Sequence, residues 1–259
     1  VNAKPGGEIQ STMYGIFFED INFGADGGLY AEMVENRSFE FPNRLMGWNA
    51  FGNVTVSDVK PAFDRNPHYV TLENAGHDQK FTGLENRGFF GMGLKKDMKY
   101  DFSVYARLHD LQGKSAKIRV EIVGDDDVPI DKQSIEITGN QWQKYTVTLT
   151  STKTVEKGLM RIFLESADGV DLDHVSLFPE DNWHGLRADL VKALEDLHPR
   201  HLPFPWRMYR GRYRPRNTLS VEEHGGRCRE PSAQREPLEL YVPSPHVSQL
   251  LPDLRTGLL

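Results

Sequence analysis

Apolar and polar positions change rhythm along this chain, and each rhythm predicts a different element. Met13–Phe18 is an almost unbroken apolar run, the pattern of a strand covered on both faces. It ends in Glu19-Asp20, which places acidic side chains at the carboxyl end of the predicted strand. Parallel α/β folds bind ligands at that end. Gly24, Gly27 and Gly28 supply a turn, and Leu29–Asn36 is predicted as a helix with Leu29, Met33 and Val34 on one face. On pattern alone this is a βα unit with solvent-facing acids.

From Asn36 the period falls to two. The predicted strands are His68–Glu73, Tyr100–Leu108, Ala116–Val123, Gln133–Ile137, Lys144–Thr150, Leu159–Glu165 and Asp173–Phe178. Short alternating runs separated by Gly, Asn and Asp predict an antiparallel β-sandwich. A third rhythm begins at Glu180. Leu186, Leu190, Val191, Leu194 and Leu197 form one stripe of an amphipathic helix over Gly185–Leu197. Asp181 or Asn182 is the predicted N-cap, and His198-Pro199 the stop.

The net charge of −6 does not suggest a nucleic-acid partner. No apolar run approaches the roughly 18 residues of a membrane span. The single cysteine, Cys228, excludes an intrachain disulfide and thiol-based metal sites. The chain starts at Val1 without a charged-then-apolar signal region, as expected of a mature form or a fragment.

The wording of the first segment goes further than its pattern. Tyr14, Gly15, Phe17 and Glu19, then Gly27, Gly28, Leu29, Tyr30, Ala31, Glu32, Met33, Val34, Glu35, Asn36, Arg37 and Phe39, closely resemble the N-terminal signature of the family 51 glycoside hydrolases, the α-L-arabinofuranosidases. The resemblance implies a (β/α)₈ barrel whose first strand is Met13–Phe18. It implies that Glu19 binds the hydroxyls of the terminal arabinofuranose, as a substrate-binding residue and not as a catalytic one. It also implies an arabinose-containing polysaccharide as partner and a secreted or periplasmic parent.

The alternating region has its own resemblance. Glu35–Phe41 followed by Gly47-Trp48, then Lys95–Arg107, Gly139–Ser151 and Gly169–Pro179, are similar to the family 4/9-type carbohydrate-binding modules, jelly-roll sandwiches that commonly carry one structural calcium. The positions matching the module's paired first and last strands are Asn36, Phe39 and Glu40 with Asp173, Val175, Ser176 and Leu177. Glu40 and Asp173 are thereby candidate calcium ligands; the plain alternative is two acids at a strand edge. The expected organisation is a barrel strand and helix in residues 1–35, an inserted sandwich in 36–179, and a barrel helix and strand in 180–205.

Trp206–Leu259 does not fit this organisation. It holds nine Arg but no Lys, Phe or Ile. A basic arm and a disordered tail are two readings. A third is a frameshift. Permitted codons for Pro205–Asn217, read one base later, spell PGGCIVEGTDLA, the family's expected continuation after Phe204-Pro205. Ser232–Tyr241 behaves the same way and gives PLNENRWNYT. Both glutamates of a retaining glycosidase, about 5 Å apart, would come from later barrel strands. No residue of this chain is therefore assigned a catalytic role, and the chain by itself is expected to be inactive.

Three functions remain open from sequence: part of an arabinofuranosidase, a carbohydrate-binding sandwich without catalysis, and a purely structural sandwich. Trp48, Tyr69, Phe89, Phe90 and Trp142 are candidates for stacking on sugar rings. Trp142 opens an alternating strand and is expected in the core. Asp125–Asp127 is expected to be a solvated hairpin loop. His174 and His184 have no paired ligand spacing and are expected to be structural or on the surface.

Overall fold

The computed structural model describes residues 10, 13–18, 22–74, 82–109, 115–166 and 169–200. Glu19, residues 201–205 and the segment from Trp206 lie outside the described residues. Two units separate: Phe23–Lys192, and Val1–Asn22 with Ala193–Leu259.

The larger unit is a sandwich of two antiparallel sheets. One has the order β1 (Trp48–Phe51), β4 (Thr82–Asn86), β10 (Val155–Leu164), β7 (Ser115–Val123), β8 (Pro129–Thr138), with β5 (Met92–Leu94) also pairing with β10. The other has the order β2 (Asn53–Ser57), β3 (Tyr69–Glu73), β11 (Val170–Pro179), β6 (Lys99–Leu108), β9 (Gln143–Thr150). Each of the seven strands predicted from alternation is present within a few residues. The period of two is the cause: along β6, Tyr100, Phe102, Val104, Ala106 and Leu108 are buried between the sheets, while Asp101, Ser103, Tyr105 and Arg107 face outward. Facing them from the first sheet are Leu84, Ile118, Val120, Ile122, Met160 and Ile162, all fully buried.

Four short strands, β1, β2, β4 and β5, lie outside the predicted set, although β2 does alternate, with Val54 and Val56 packed against the core. β4 is buried at every position, so its sequence Thr-Gly-Leu-Glu-Asn shows no polar–apolar contrast. In β11 the register slips between Asp173 and Ser176, and His174 at φ 46° carries the bulge. The extra residue reverses which parity points inward. Val170 and Leu172 precede the bulge in the core, and Val175 and Leu177 follow it there.

The helix expected over Leu29–Asn36 is not formed. Leu29, Tyr30, Ala31, Glu32, Val34 and Asn36 are all buried, so the segment has no solvent face on which a helix could lie. Its backbone bonds instead to the chain leaving the sandwich. Ala31 N donates to Gly185 O at 2.9 Å, Met33 N to Leu177 O at 3.1 Å, and Arg187 N to Leu29 O at 2.9 Å. The buried Glu32 carboxylate closes this junction. It accepts from Leu177 N at 2.9 Å, Ser176 Oγ at 2.7 Å, Val34 N at 3.1 Å and Arg37 Nη1 at 3.2 Å. Tertiary partners have outcompeted helix propensity.

Met13–Phe18 contains no strand, and Met13, Tyr14 and Phe17 are exposed. Within that unit Arg200 N donates to Tyr14 O at 3.0 Å. The C-terminal helix, α1 (Ala188–Asp196), is shorter than expected and fully buries none of its residues. Neither predicted N-cap serves it: the first carbonyl accepting a helical bond is that of Arg187, from Val191 N. Asn182 caps a local turn by accepting from Gly185 N at 2.8 Å. His198 at φ 46° ends the helix, and its N–H returns to Glu195 O.

The junction gives a first prediction. Glu32→Ala leaves the Arg37 guanidinium and the Leu177 N–H without their carboxylate and lowers stability by about 3 kcal/mol in urea unfolding. A change under 0.5 kcal/mol would show that the junction does not need the carboxylate.

Candidate functional site

The outward faces of the two sheets differ. On the five-stranded sheet the outer face is covered by the chain's own segment Asp58–His68. Arg107 lies between the rings of Tyr69 and Trp142, 5.2 and 4.5 Å from their centroids. It donates to Lys60 O at 2.9 Å and Val59 O at 3.3 Å. Tyr69 Oη donates to Val59 O and Trp142 Nε1 to Lys60 O. Beneath, the buried Asp171 carboxylate holds Arg107 Nε at 2.7 Å, Thr71 Oγ1 at 2.8 Å and His109 Nδ1 at 2.8 Å. Further along, Phe63 packs 4.9 Å from Tyr105 and 4.5 Å from His174.

Tyr69 and Trp142 are thereby spent on fixing this cover. The core position expected for Trp142 is corrected: it is half-buried on the outer face, because the strand's inward parity belongs to Tyr145, Val147 and Leu149. Trp48 is buried, donates to Asn36 O at 3.0 Å and stacks on Phe39, so it too is structural.

The outer face of the six-stranded sheet carries a row of charges and an aromatic pair. Glu85 accepts from Arg161 Nε at 2.9 Å, Arg87 Nε at 3.0 Å and Asn49 Nδ2 at 3.2 Å. Burial works to raise its pKa, but these donors hold the carboxyl below its usual range. Arg161 also pairs with Asp127. Arg119 pairs with Glu121 and Glu165, each at 2.7 Å. Beside this row Phe51, 40% exposed, faces Phe163 at 6.5 Å between centroids. The Phe163 ring lies on Gly83, where a Cβ would come within 2.7 Å of it. Arg119 stacks on Phe163 at 5.2 Å.

The two rings are tilted by 35°, and an aromatic pair bordered by fixed hydrogen-bonding groups can pack against the apolar face of a sugar ring while the rim meets its hydroxyls. Sequence reasoning missed Phe51 and Phe163. The outward parity of Arg161, Phe163 and Glu165 was the available signal for one, and the lack of alternation in β1 hid the other. Asp125–Asp127 is an exposed turn between β7 and β8, with Asp126 bonded to Lys153 at 2.7 Å.

Glu40 and Asp173, predicted as a pair, are brought into electrostatic contact. Asp173 is fully buried; Oδ1 accepts from His174 N at 2.6 Å, and Oδ2 has no partner. Burial, with a further push from the Glu40 charge, raises its carboxyl to about 8. Glu40 is already engaged, accepting from His68 N at 2.8 Å and meeting His68 Nδ1 at 2.7 Å. Among the described residues no group of three or more His, Cys, Asp or Glu side chains is arranged to hold a metal. Glu19 cannot be placed, since it lies outside the described residues.

Comparison with known proteins places these features in context. The extracellular exo-α-L-arabinofuranosidase of Streptomyces chartreusis is 38% identical over 216 residues, 78% of this chain and 25% of the relative. α-L-Arabinofuranosidase 1 of Arabidopsis thaliana is 28% identical over 223 residues, 79% of this chain and 33% of the relative. An arabinose-bound family 51 α-L-arabinofuranosidase structure superposes with a TM-score of 0.68 at 26% identity, covering 79% of this chain and 36% of that one. The chain thus spans about a quarter to a third of the length of these relatives. Among the described residues no helix is long and apolar enough to cross a membrane. Residues 31–169, more than half of the chain, match the family model described as "Carbohydrate binding domain" (CBM_4_9), and the chain belongs to that family.

Proposed function

We propose that this chain is the N-terminal portion of an α-L-arabinofuranosidase that releases terminal arabinofuranose from arabinan or arabinoxylan, and that its sandwich touches the carbohydrate. The observation that carries the reading is the 38% identity to the Streptomyces enzyme across most of the chain. In the intact enzyme two carboxylates would act by retention through a glycosyl-enzyme intermediate. Glu19 would hold the sugar's hydroxyls, and the polysaccharide would be met outside the cell, where the Streptomyces relative acts as an extracellular enzyme.

The tail is part of the proposal. The abrupt change of composition after Pro205, nine Arg with no Lys, Phe or Ile, together with the two stretches that read as family sequence one base later, supports a change of reading frame at Phe204–Trp206. The purified chain is then expected to release no arabinose from an aryl arabinofuranoside, whereas a coding sequence one base shorter at this point continues as PGG and yields an active enzyme. Arabinose release by the 259-residue chain itself would overturn this.

Binding without catalysis is the second reading, favoured by one observation: the Phe51–Phe163 face is not covered by the segment that covers the other sheet. Phe163→Ala is expected to weaken retardation on arabinoxylan in affinity electrophoresis about fivefold, the scale of one aromatic stacking contact. Unchanged mobility relative to the wild-type chain would assign the face a structural role.

Asp173 and Glu40 are proposed as ligands of a structural calcium. The partnerless, buried Oδ2 of Asp173 is what such an ion would satisfy, and hard oxygen ligands suit calcium. Backbone carbonyls or water would supply the remaining oxygens. With chelator present, native Asp173 holds a proton up to about pH 8 that an unfolded Asp, with its ordinary value of 3.8, has already lost. The folded state binds more protons in that window, so stability falls as pH rises from about 4 to about 8 and levels above it. Calcium favours the ionised form, so at pH 8 it is expected to raise Tm by roughly 5 °C. Asp173→Asn is expected to remove both the pH slope and the calcium response. A wild-type Tm indifferent to calcium would reject the site.

A further inference from the structure

The path of one sheet ends in β1 and β8, and that of the other in β2 and β9. An edge strand presents a row of backbone N–H and C=O groups with which a strand of another molecule can pair. At one end of the two paths the edges are short, four residues in β1 and five in β2. At the other they are long, ten residues in β8 and eight in β9.

Strand β8 carries its own deterrent to pairing. Pro129 opens it, and Asp131, Lys132 and Glu136 set charges along it. Strand β9 is different. From Tyr145 to Thr150 it reads Tyr-Thr-Val-Thr-Leu-Thr, a β-forming run with no charge in it, and Thr146, Thr148 and Thr150 are exposed.

The backbone of this edge is met from the neighbouring sheet. Thr150 N donates to Asp131 Oδ2 at 2.7 Å, and Lys132 N donates to Oδ1 of the same carboxylate at 2.8 Å. One side chain therefore occupies an N–H on each edge. Tyr145 makes the reverse contact from β9 to β8. Its hydroxyl accepts from Thr138 N at 3.2 Å and donates to Thr138 O at 3.1 Å, and its ring packs against the core. Lys132 and Thr138 have the same parity in β8, so their backbone groups point to the same edge. These bonds lie at the surface, where water would otherwise serve the same groups, and they add little to stability. What they change is availability: an N–H already donating to a carboxylate is not offered to an incoming strand.

We propose that Asp131 guards the β9 edge, and that without it this edge pairs antiparallel with β9 of a second copy of the chain. Self-pairing suits the sequence of β9. With Val147 opposite itself, Thr146 meets Thr148 and Tyr145 meets Leu149, and no like charges are opposed. In that register Thr146, Thr148 and Thr150 share the parity whose backbone groups point outward, so the Thr150 N–H held by Asp131 becomes a donor of the new ladder.

The test is sedimentation velocity of the full chain over a wide concentration range, wild type against Asp131→Ala. The variant is expected to self-associate about tenfold more tightly, the scale of one freed backbone hydrogen bond. Adding Thr146→Lys, which sets a charge in the middle of the edge, should return association to the wild-type level. Amide exchange in the associated variant should slow at Thr146–Thr150. An unchanged Tm shows that Asp131→Ala is folded; if its Tm falls, Asp131→Asn replaces it with the same expected direction. Variant and wild type sedimenting alike, or an association that Thr146→Lys leaves in place, would overturn the proposal.

Discussion

The buried carboxylate of Glu32 is the constraint on which the sandwich depends. Four donors converge on it, two of them from the last strand, β11. It fixes the chain entering the sandwich against the chain leaving it, and the pairing of Tyr30 with Leu186 and its ring contact with Phe178 at 5.3 Å extend the junction. A buried ion pair with Arg37 is a weak source of stability by itself. Here its effect is geometric, because a charge so far from water is tolerable where those donors meet it and hardly elsewhere. The sandwich therefore begins and ends at one closed junction.

Once the ends are fixed, the two outer faces take opposite roles. The five-stranded sheet spends Arg107, Tyr69, Trp142 and Asp171 on holding the segment Asp58–His68 across it. Its polar groups are satisfied by the chain's own carbonyls, and a ligand would have to displace them. The six-stranded sheet satisfies its charges laterally, Glu85 with Arg161 and Arg119 with Glu165, and this leaves the Phe51–Phe163 surface beside them. The residues between β2 and β3 are enough to cross a sheet, whereas Gly52, at φ 73°, is the single residue that carries the chain from β1 of one sheet to β2 of the other.

Sequence made the sandwich legible wherever one face of a strand meets solvent. Along Tyr100–Leu108 and Tyr145–Thr150 the alternation was direct. It failed where both faces are covered, as in β4, and where polar residues are buried, as in Leu29–Asn36, whose apolar spacing mimicked a helix while Glu32 and Asn36 pointed into the protein. Glu40 and Asp173 were linked through family wording alone, because they lie more than a hundred positions apart, and the bulge at His174 comes directly after Asp173. Aromatic residues were the hardest: Trp48, Tyr69 and Trp142 looked like sugar platforms but are held by backbone carbonyls, whereas Phe51 and Phe163 meet across strands far apart in the sequence.

The most direct measurement is a map of backbone amide shifts in the ¹⁵N-labelled chain titrated with an arabinoxylan oligosaccharide. Perturbations along β1, β4 and β10, with β3, β6 and β11 unmoved, are the predicted result. Shifts centred on Tyr69, Arg107 and Trp142, or none at a saturating oligosaccharide concentration, would contradict the assignment of the six-stranded face as the carbohydrate contact.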